Sequence, residues 1–213
     1  MLLNSPSSVL QGPKDAPLLV LAHGAGAGMD HEFFQLLVPL LIDEIAVLRF
    51  NFPYMQRMLS EQKRRPPDRF NVLVDAFNQV IPTDWSAPIF IGGKSMGGRI
   101  ATHVALDNSK LSGVIVLGFP FHPPGKPERN KGEHLPKLTK PLLIAQGQRD
   151  PFGNCSEITS DMLPDKSQLY WLHDGEHSFK PRKKSGLSWQ DNLQSVALQM
   201  KGFIQCHIHS LGD

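Results

Sequence analysis

The chain has 213 residues, 40% hydrophobic and 20% charged, with a formal net charge of +2. That length suits one domain, residues 1–213, with a sizeable core, and so small a charge excludes the broad basic field of a nucleic-acid-binding protein. No apolar run approaches the ~18–20 residues of a membrane span, and the N-terminal MLLNSP lacks the basic and apolar regions of a signal peptide, so no membrane partner, a cytoplasmic location and free thiols at Cys155 and Cys206 are expected.

Short apolar runs alternate with segments of helical period. Leu18–Ala22 ends at a glycine-rich turn and reads as a strand buried on both faces. Phe33, Leu36, Leu37, Leu40 and Leu41 then repeat at helical spacing, with Asp30 placed as the cap. Ile45–Phe50 is the second strand, and residues 51–67, rich in proline and charge, follow it as a long loop. Phe70, Leu73, Val74, Phe77 and Val80 predict a helix capped by Asp68. The strand Ile89–Ile91 leads into a helix with a small-residue stripe at Gly97, Ile100, Ala101, Val104 and Ala105. Val114–Leu117, a long loop over 119–136, Leu142–Ala145 and the weaker run Gln168–Leu172 come next, and Trp189, Leu193, Val196, Ala197, Met200 and Ile204 predict a C-terminal helix. This alternation predicts an α/β fold: a mostly parallel, doubly wound sheet with helices on both faces and no large cap domain. Ligands of such sheets bind at the carboxyl ends of the strands, so the two long loops are expected to wall a site.

The chemistry-bearing segment is Gly93-Lys94-Ser95-Met96-Gly97. As a pentapeptide it is common. Its position directly after a strand and at the start of a helix is what a nucleophilic serine requires: a sharp turn that lifts Oγ above the sheet edge. Strand and helix then approach so closely that the flanking positions tolerate little beyond hydrogen, and Gly93 and Gly97 satisfy that, with Gly92 and Gly98 adding room. The competing reading is a phosphate-binding turn at a helix N-terminus, but neither a dinucleotide fingerprint nor a P-loop is present.

A hydroxyl needs a base, and the base needs an orienting carboxylate. In this chain order the acid follows the serine and the histidine comes last. Asp150 lies just beyond the strand Leu142–Ala145, better placed than Asp161 or Asp165. His177 sits in the loop beyond Gly175, free to reach across, whereas His173 is still at the strand end. Two backbone N–H groups are needed for the developing oxyanion; Met96, after the serine, and Ala25, in the glycine-rich turn His23–Gly28, are the candidates. No metal or other cofactor is called for. The terminal His207-Ile208-His209 is too short for a metal site.

The set His23-Gly24-x-Gly26, Gly93-x-Ser95-x-Gly97, Asp150 and His177 resembles the α/β-hydrolase superfamily. The strings AHGAGAGMD (22–30), RFNFPYM (49–55), GGKSMGGR (92–99), HPPGKPE (122–128), QGQRDPFG (146–153) and GEHSFK (175–180) resemble a small dienelactone-hydrolase-like branch that includes bacterial predicted hydrolases, a testis-expressed vertebrate protein and a subunit of a chromatin acetyltransferase complex. The resemblance implies a serine hydrolase acting on an ester, thioester or similar acyl substrate. It also implies a sheet truncated at its N-terminal edge, since only 17 residues precede the first clear strand. Dienelactone hydrolase would use a cysteine nucleophile where this chain has Ser95, so that activity does not carry over. Cations at Arg64, Arg65, Lys94 and Arg149 fall on the expected rim and suggest a small acyl substrate bearing an anionic group. The alternative is a non-catalytic protein–protein interaction module that kept the fold.

Overall fold

The computed structural model describes residues 6–208; Met1–Ser5 of the N-terminal segment, and His209 of the terminal His-Ile-His, lie outside them. Seven strands form one sheet in these residues: β1 (Ser8–Gln11), β2 (Leu18–Ala22), β3 (Ala46–Phe50), β4 (Ile89–Lys94), β5 (Leu111–Leu117), β6 (Leu142–Gly147) and β7 (Ser167–Leu172). Their order is β1-β3-β2-β4-β5-β6-β7, with β1 antiparallel to β3 and every other neighbour pair parallel.

Five helices cover the sheet: α1 (Glu32–Leu37), α2 (Pro53–Glu61), α3 (Phe70–Val80), α4 (Met96–Asp107) and α5 (Trp189–Ile208). Side chains alternate across a strand, and the central strands are apolar on both faces. Leu18, Val20, Val114, Val116, Leu142 and Ile144 face a core shared with Leu73 and Phe77 of α3 and Ile100 and Val104 of α4. Leu19, Leu21, Ile115, Leu117 and Leu143 face the opposite core, built with Phe33 and Leu37 of α1 and Leu193, Val196 and Met200 of α5. Both faces are therefore sealed by helices, which is the doubly wound arrangement, and the described residues include no large cap domain.

Four expectations need correction. The N-terminal edge carries a strand after all: β1 is short, mostly exposed and set by pairing with β3 rather than by an apolar run. Residues 51–67 are not all loop; Pro53 occupies the first turn of α2, where its missing N–H costs no hydrogen bond. Asp30 does not cap α1; His31 does, its Nδ1 accepting from Phe33 N–H at 3.2 Å, while Asp30 lies 3.5 Å from the buried Arg49. Asp68 does not cap α3, whose N-cap Arg69 has no side-chain bond; Asp68 pairs with Arg57 of α2 instead. No helix among the described residues is long and apolar enough to cross a membrane.

Candidate active site

The site stands at the carboxyl ends of β4, β5 and β6. Ser95 joins β4 to α4 at φ 52° and ψ −116°, backbone that an L residue rarely adopts. Tight packing holds it there. A Cβ on Gly93 would stand 2.5 Å from Ala22 O, and one on Gly97 would stand 2.5 Å from His23 O, so the turn is wedged against the end of β2. Ser95 N–H is bound to Leu117 O of β5 at 3.0 Å. The serine is thus fixed from both neighbouring strands.

Ser95 Oγ lies 2.8 Å from His177 Nε2, and His177 Nδ1 lies 2.8 Å from Asp150 Oδ2. Asp150 is fully buried. Its Oδ1 accepts from Phe152 N–H at 2.8 Å and its Oδ2 from Gln146 Nε2 at 2.9 Å. With two further donors fixing its oxygens, the carboxylate orients the imidazole so that Nε2 faces the serine. Phe152 packs on the His177 ring at 4.3 Å between centroids. The two rejected acids, Asp161 and Asp165, are exposed, as is His173.

The loop that delivers His177 is held by groups to which the sequence assigned no such role. Asp174 accepts from Arg182 N–H and Nε, each at 2.8 Å, and lies 3.0 Å from Arg149 Nε. Arg182, then Arg149, holds the Asp174 carboxyl well below the usual carboxylate range. Arg149 also donates to Asp174 O at 2.9 Å, tying the turn that carries Asp150 to the loop that carries His177. Asn192 of α5 donates to Phe179 O at 2.8 Å, and Trp189 Nε1 to Ser178 O at 2.8 Å. Asp174, three positions before the predicted base, was the available signal; Asn192 and Trp189 lie too far off in sequence to have been found.

Ala25 lies in the turn after β2, and Met96 opens α4, where an N–H has no intrahelical partner. His23 and Tyr54 brace the Ala25 turn. His23 Nε2 accepts from Phe52 N–H at 3.0 Å and its Nδ1 lies 2.7 Å from Gly24 O. Burial lowers the His23 pKa to about 4, so the ring is neutral and donates through Nδ1. The Tyr54 hydroxyl donates to Ala25 O at 3.0 Å.

A cavity of about 420 Å³ opens over these groups, lined by Ala25, Phe33, Lys94, Ser95, Phe152 and His177 among others. Of the four cations expected on the rim, only Lys94 lines it. Arg64 and Arg65 are exposed beyond α2, with Arg65 paired to Glu61, and Arg149 is engaged by Asp174. Sequence adjacency to strand ends did not reveal that these three have partners or point elsewhere. A larger concavity of about 770 Å³ lies at the amino ends of β4 and β5, lined by Trp85, His103 and Ser112 among others. It contains neither the serine nor its partners and is at the end of the sheet opposite to where ligands of such folds bind.

A model of the alpha/beta hydrolase domain matches residues 15–205. Among solved structures, a thermophilic esterase from Thermogutta terrifontis is 16% identical, with a TM-score of 0.71 over 95% of this chain and 94% of that one. Dienelactone hydrolase from Anabaena variabilis is 16% identical, with a TM-score of 0.67 over 97% and 100% of the two chains. An alpha-beta serine hydrolase homologue from Coxiella burnetii is 19% identical, with a TM-score of 0.66 over 90% and 89%. At these identities the likeness is one of fold.

Proposed function

This chain belongs to the alpha/beta hydrolase domain family, and on that premise we propose that it is a serine hydrolase cleaving an ester, thioester or similar small acyl substrate through an acyl-enzyme at Ser95. One observation carries the proposal: the unbroken chain of 2.8 Å hydrogen bonds from Ser95 Oγ through His177 to the buried Asp150. In this mechanism His177 Nε2 takes the hydroxyl proton as Oγ attacks the carbonyl carbon. The oxyanion forms against the N–H groups of Met96 and Ala25. Collapse expels the alcohol or thiol, which leaves with the proton from His177. Water, deprotonated by the same imidazole, then releases the acid. Asp150 holds the imidazole through Nδ1 and stabilises the imidazolium.

The narrower dienelactone-hydrolase-like placement belongs to the same proposal and rests on the strings at 92–99, 146–153 and 175–180. Fluorophosphonate labelling tests the nucleophile. We expect labelling of Ser95 in the folded protein, none in Ser95→Ala, and ester hydrolysis that disappears in the same variant. A folded protein that neither labels nor turns over any ester would favour a non-catalytic interaction module.

A further inference from the structure

Among the described residues Lys94, the residue before the serine, is the one buried lysine or arginine bordering the cavity. It is 8% exposed and lines the cavity beside Ser95 and His177. Its ammonium lies 5.8 Å from the ring centroids of both Phe33 and Phe179. It is also 3.0 Å from the position a Gly118 Cβ would take, a point 3.4 Å from His177 Nδ1. The charge is therefore close to the reacting groups. Among the described residues the ammonium has no hydrogen-bond acceptor, although it carries three donors.

The neighbouring acids are already committed. Asp150 accepts from His177, Gln146 and Phe152. Glu176 accepts from the N–H groups of Ser178 and Lys180. Both attract the ammonium from a distance without bonding it. Burying a cation without a hydrogen-bonded counter-charge is costly, and two phenyl faces at this range recover only part of that cost. An unbranched apolar side chain would pack here without the cost. The feature that makes the charge useful is the opening beside it.

Resting on the serine-hydrolase reading above, we infer that Lys94 binds a carboxylate of the substrate, so that the preferred substrates are short half-esters or half-thioesters of dicarboxylic acids rather than neutral acyl chains. A cavity of about 420 Å³ lined by both Ser95 and Lys94 suits an acyl group of a few carbons with the carboxylate at its far end. The apolar walls, Phe33, Phe34 and Phe152, hold the methylenes.

Such a site has its own pH signature. Burial lowers the Lys94 pKa to about 8 against the raising influence of Asp150 and Glu176. The groups facing it are those two acids, His177 and the Phe33 and Phe179 rings; His31 is the other titratable group on the cavity wall. In free enzyme the cation is present below about pH 8 and is lost above it.

The test compares kcat/KM for monoethyl glutarate with that for ethyl pentanoate, by ethanol release. The carboxylate-bearing ester is expected to be preferred roughly 10- to 100-fold at pH 7, the worth of a hydrogen bond to a charged group. The ratio should fall as pH rises past about 8, and should collapse toward one in Lys94→Met. Butyrylglycolate, which carries its carboxylate on the leaving side, is expected to gain less; an equal or greater gain would overturn the acyl-side assignment. A wild-type ratio near one, or a ratio that Lys94→Met leaves unmoved, overturns the inference. The wild-type pH profile serves if Lys94→Met does not fold. Failure of the hydrolase reading looks different: no ester of either kind is turned over and Ser95 is not labelled. In that event glutarate binding measured by calorimetry, tenfold weaker or more in Lys94→Met, still decides the anion site, and equal binding refutes it.

Discussion

Replacing Gln146 with leucine removes one amide and leaves several groups without a partner. Gln146 is fully buried at the end of β6. Its Oε1 accepts from Phe119 N–H at 2.7 Å, and its Nε2 donates to Asp150 Oδ2 at 2.9 Å, Gly153 O at 3.0 Å and Phe119 O at 3.1 Å. It thereby fastens the turn after β5 and the turn that carries Asp150 to the same strand end. Leucine has a similar bulk, so the cavity contribution is small. The cost comes from orphaned groups: Phe119 N–H, Gly153 O and one donor to the carboxylate, whereas Phe119 O keeps Phe121 N–H at 3.1 Å. A buried group left unpaired costs about 1–3 kcal/mol, and local relaxation recovers part of the total, so we expect a loss of about 3–5 kcal/mol. For a domain of this size about 1 kcal/mol moves Tm by 2–4 °C, giving a drop of roughly 6–20 °C. Urea unfolding with the midpoint and m-value both fitted is the assay. Activity should suffer less than stability, because Asp150 keeps His177 and Phe152 N–H. A loss below about 1 kcal/mol at unchanged m would refute the reasoning, since the buried amide would then be dispensable.

Three further outcomes are expected. Tyr54→Phe should lower kcat by about 3- to 10-fold while scarcely changing Tm, because it frees the carbonyls of the turn that carries Ala25; an unchanged kcat would remove Tyr54 from the positioning of that turn. Gly98→Ala should destabilise by about 1–3 kcal/mol and impair activity, since the added Cβ would stand 2.5 Å from Val116 Cγ1 and 2.6 Å from Gly93 O, whereas Gly26→Ala meets nothing within 4 Å and should be tolerated; equal melting temperatures for the two variants would contradict this. Stability should fall on acidification from about pH 6.5 toward 4. Burial lowers the pKa values of His23, His103 and His134 to about 4 from 6.5, with His103 and His134 stacked at 3.5 Å beside Arg99 and each other. Within that window the unfolded chain binds more protons than the folded one, so ΔG of unfolding rises with pH. Urea midpoints at pH 7.5, 6 and 5 check the sign, and the double variant His103→Gln/His134→Gln should flatten the slope.

The sequence alone determined the layered fold and the position of the serine. Fully buried parallel strands must be apolar on both faces, so β2, β5 and β6 appear as continuous runs. The closeness of strand and helix at Ser95 admits only glycine around it, and that requirement is written in Gly93 and Gly97. That Asp150 and His177 would stand near Ser95 was legible because each follows a strand on the same rim. Edge strand β1 was not, because an exposed strand is defined by its partner β3 and not by a pattern of its own. Nor were the caps of α1 and α3, where several polar residues stood within reach and geometry chose among them. The site's supports, Gln146, Asp174 and Asn192, depend on partners brought near only by the fold. The rim cations show the same limit. Four were alike as cations in the sequence; three-dimensional packing paired Arg65 and Arg149 with acids, left Arg64 exposed, and buried Lys94 beside Ser95. Charge is encoded in one residue, but whether it is neutralised depends on what the tertiary structure sets against it.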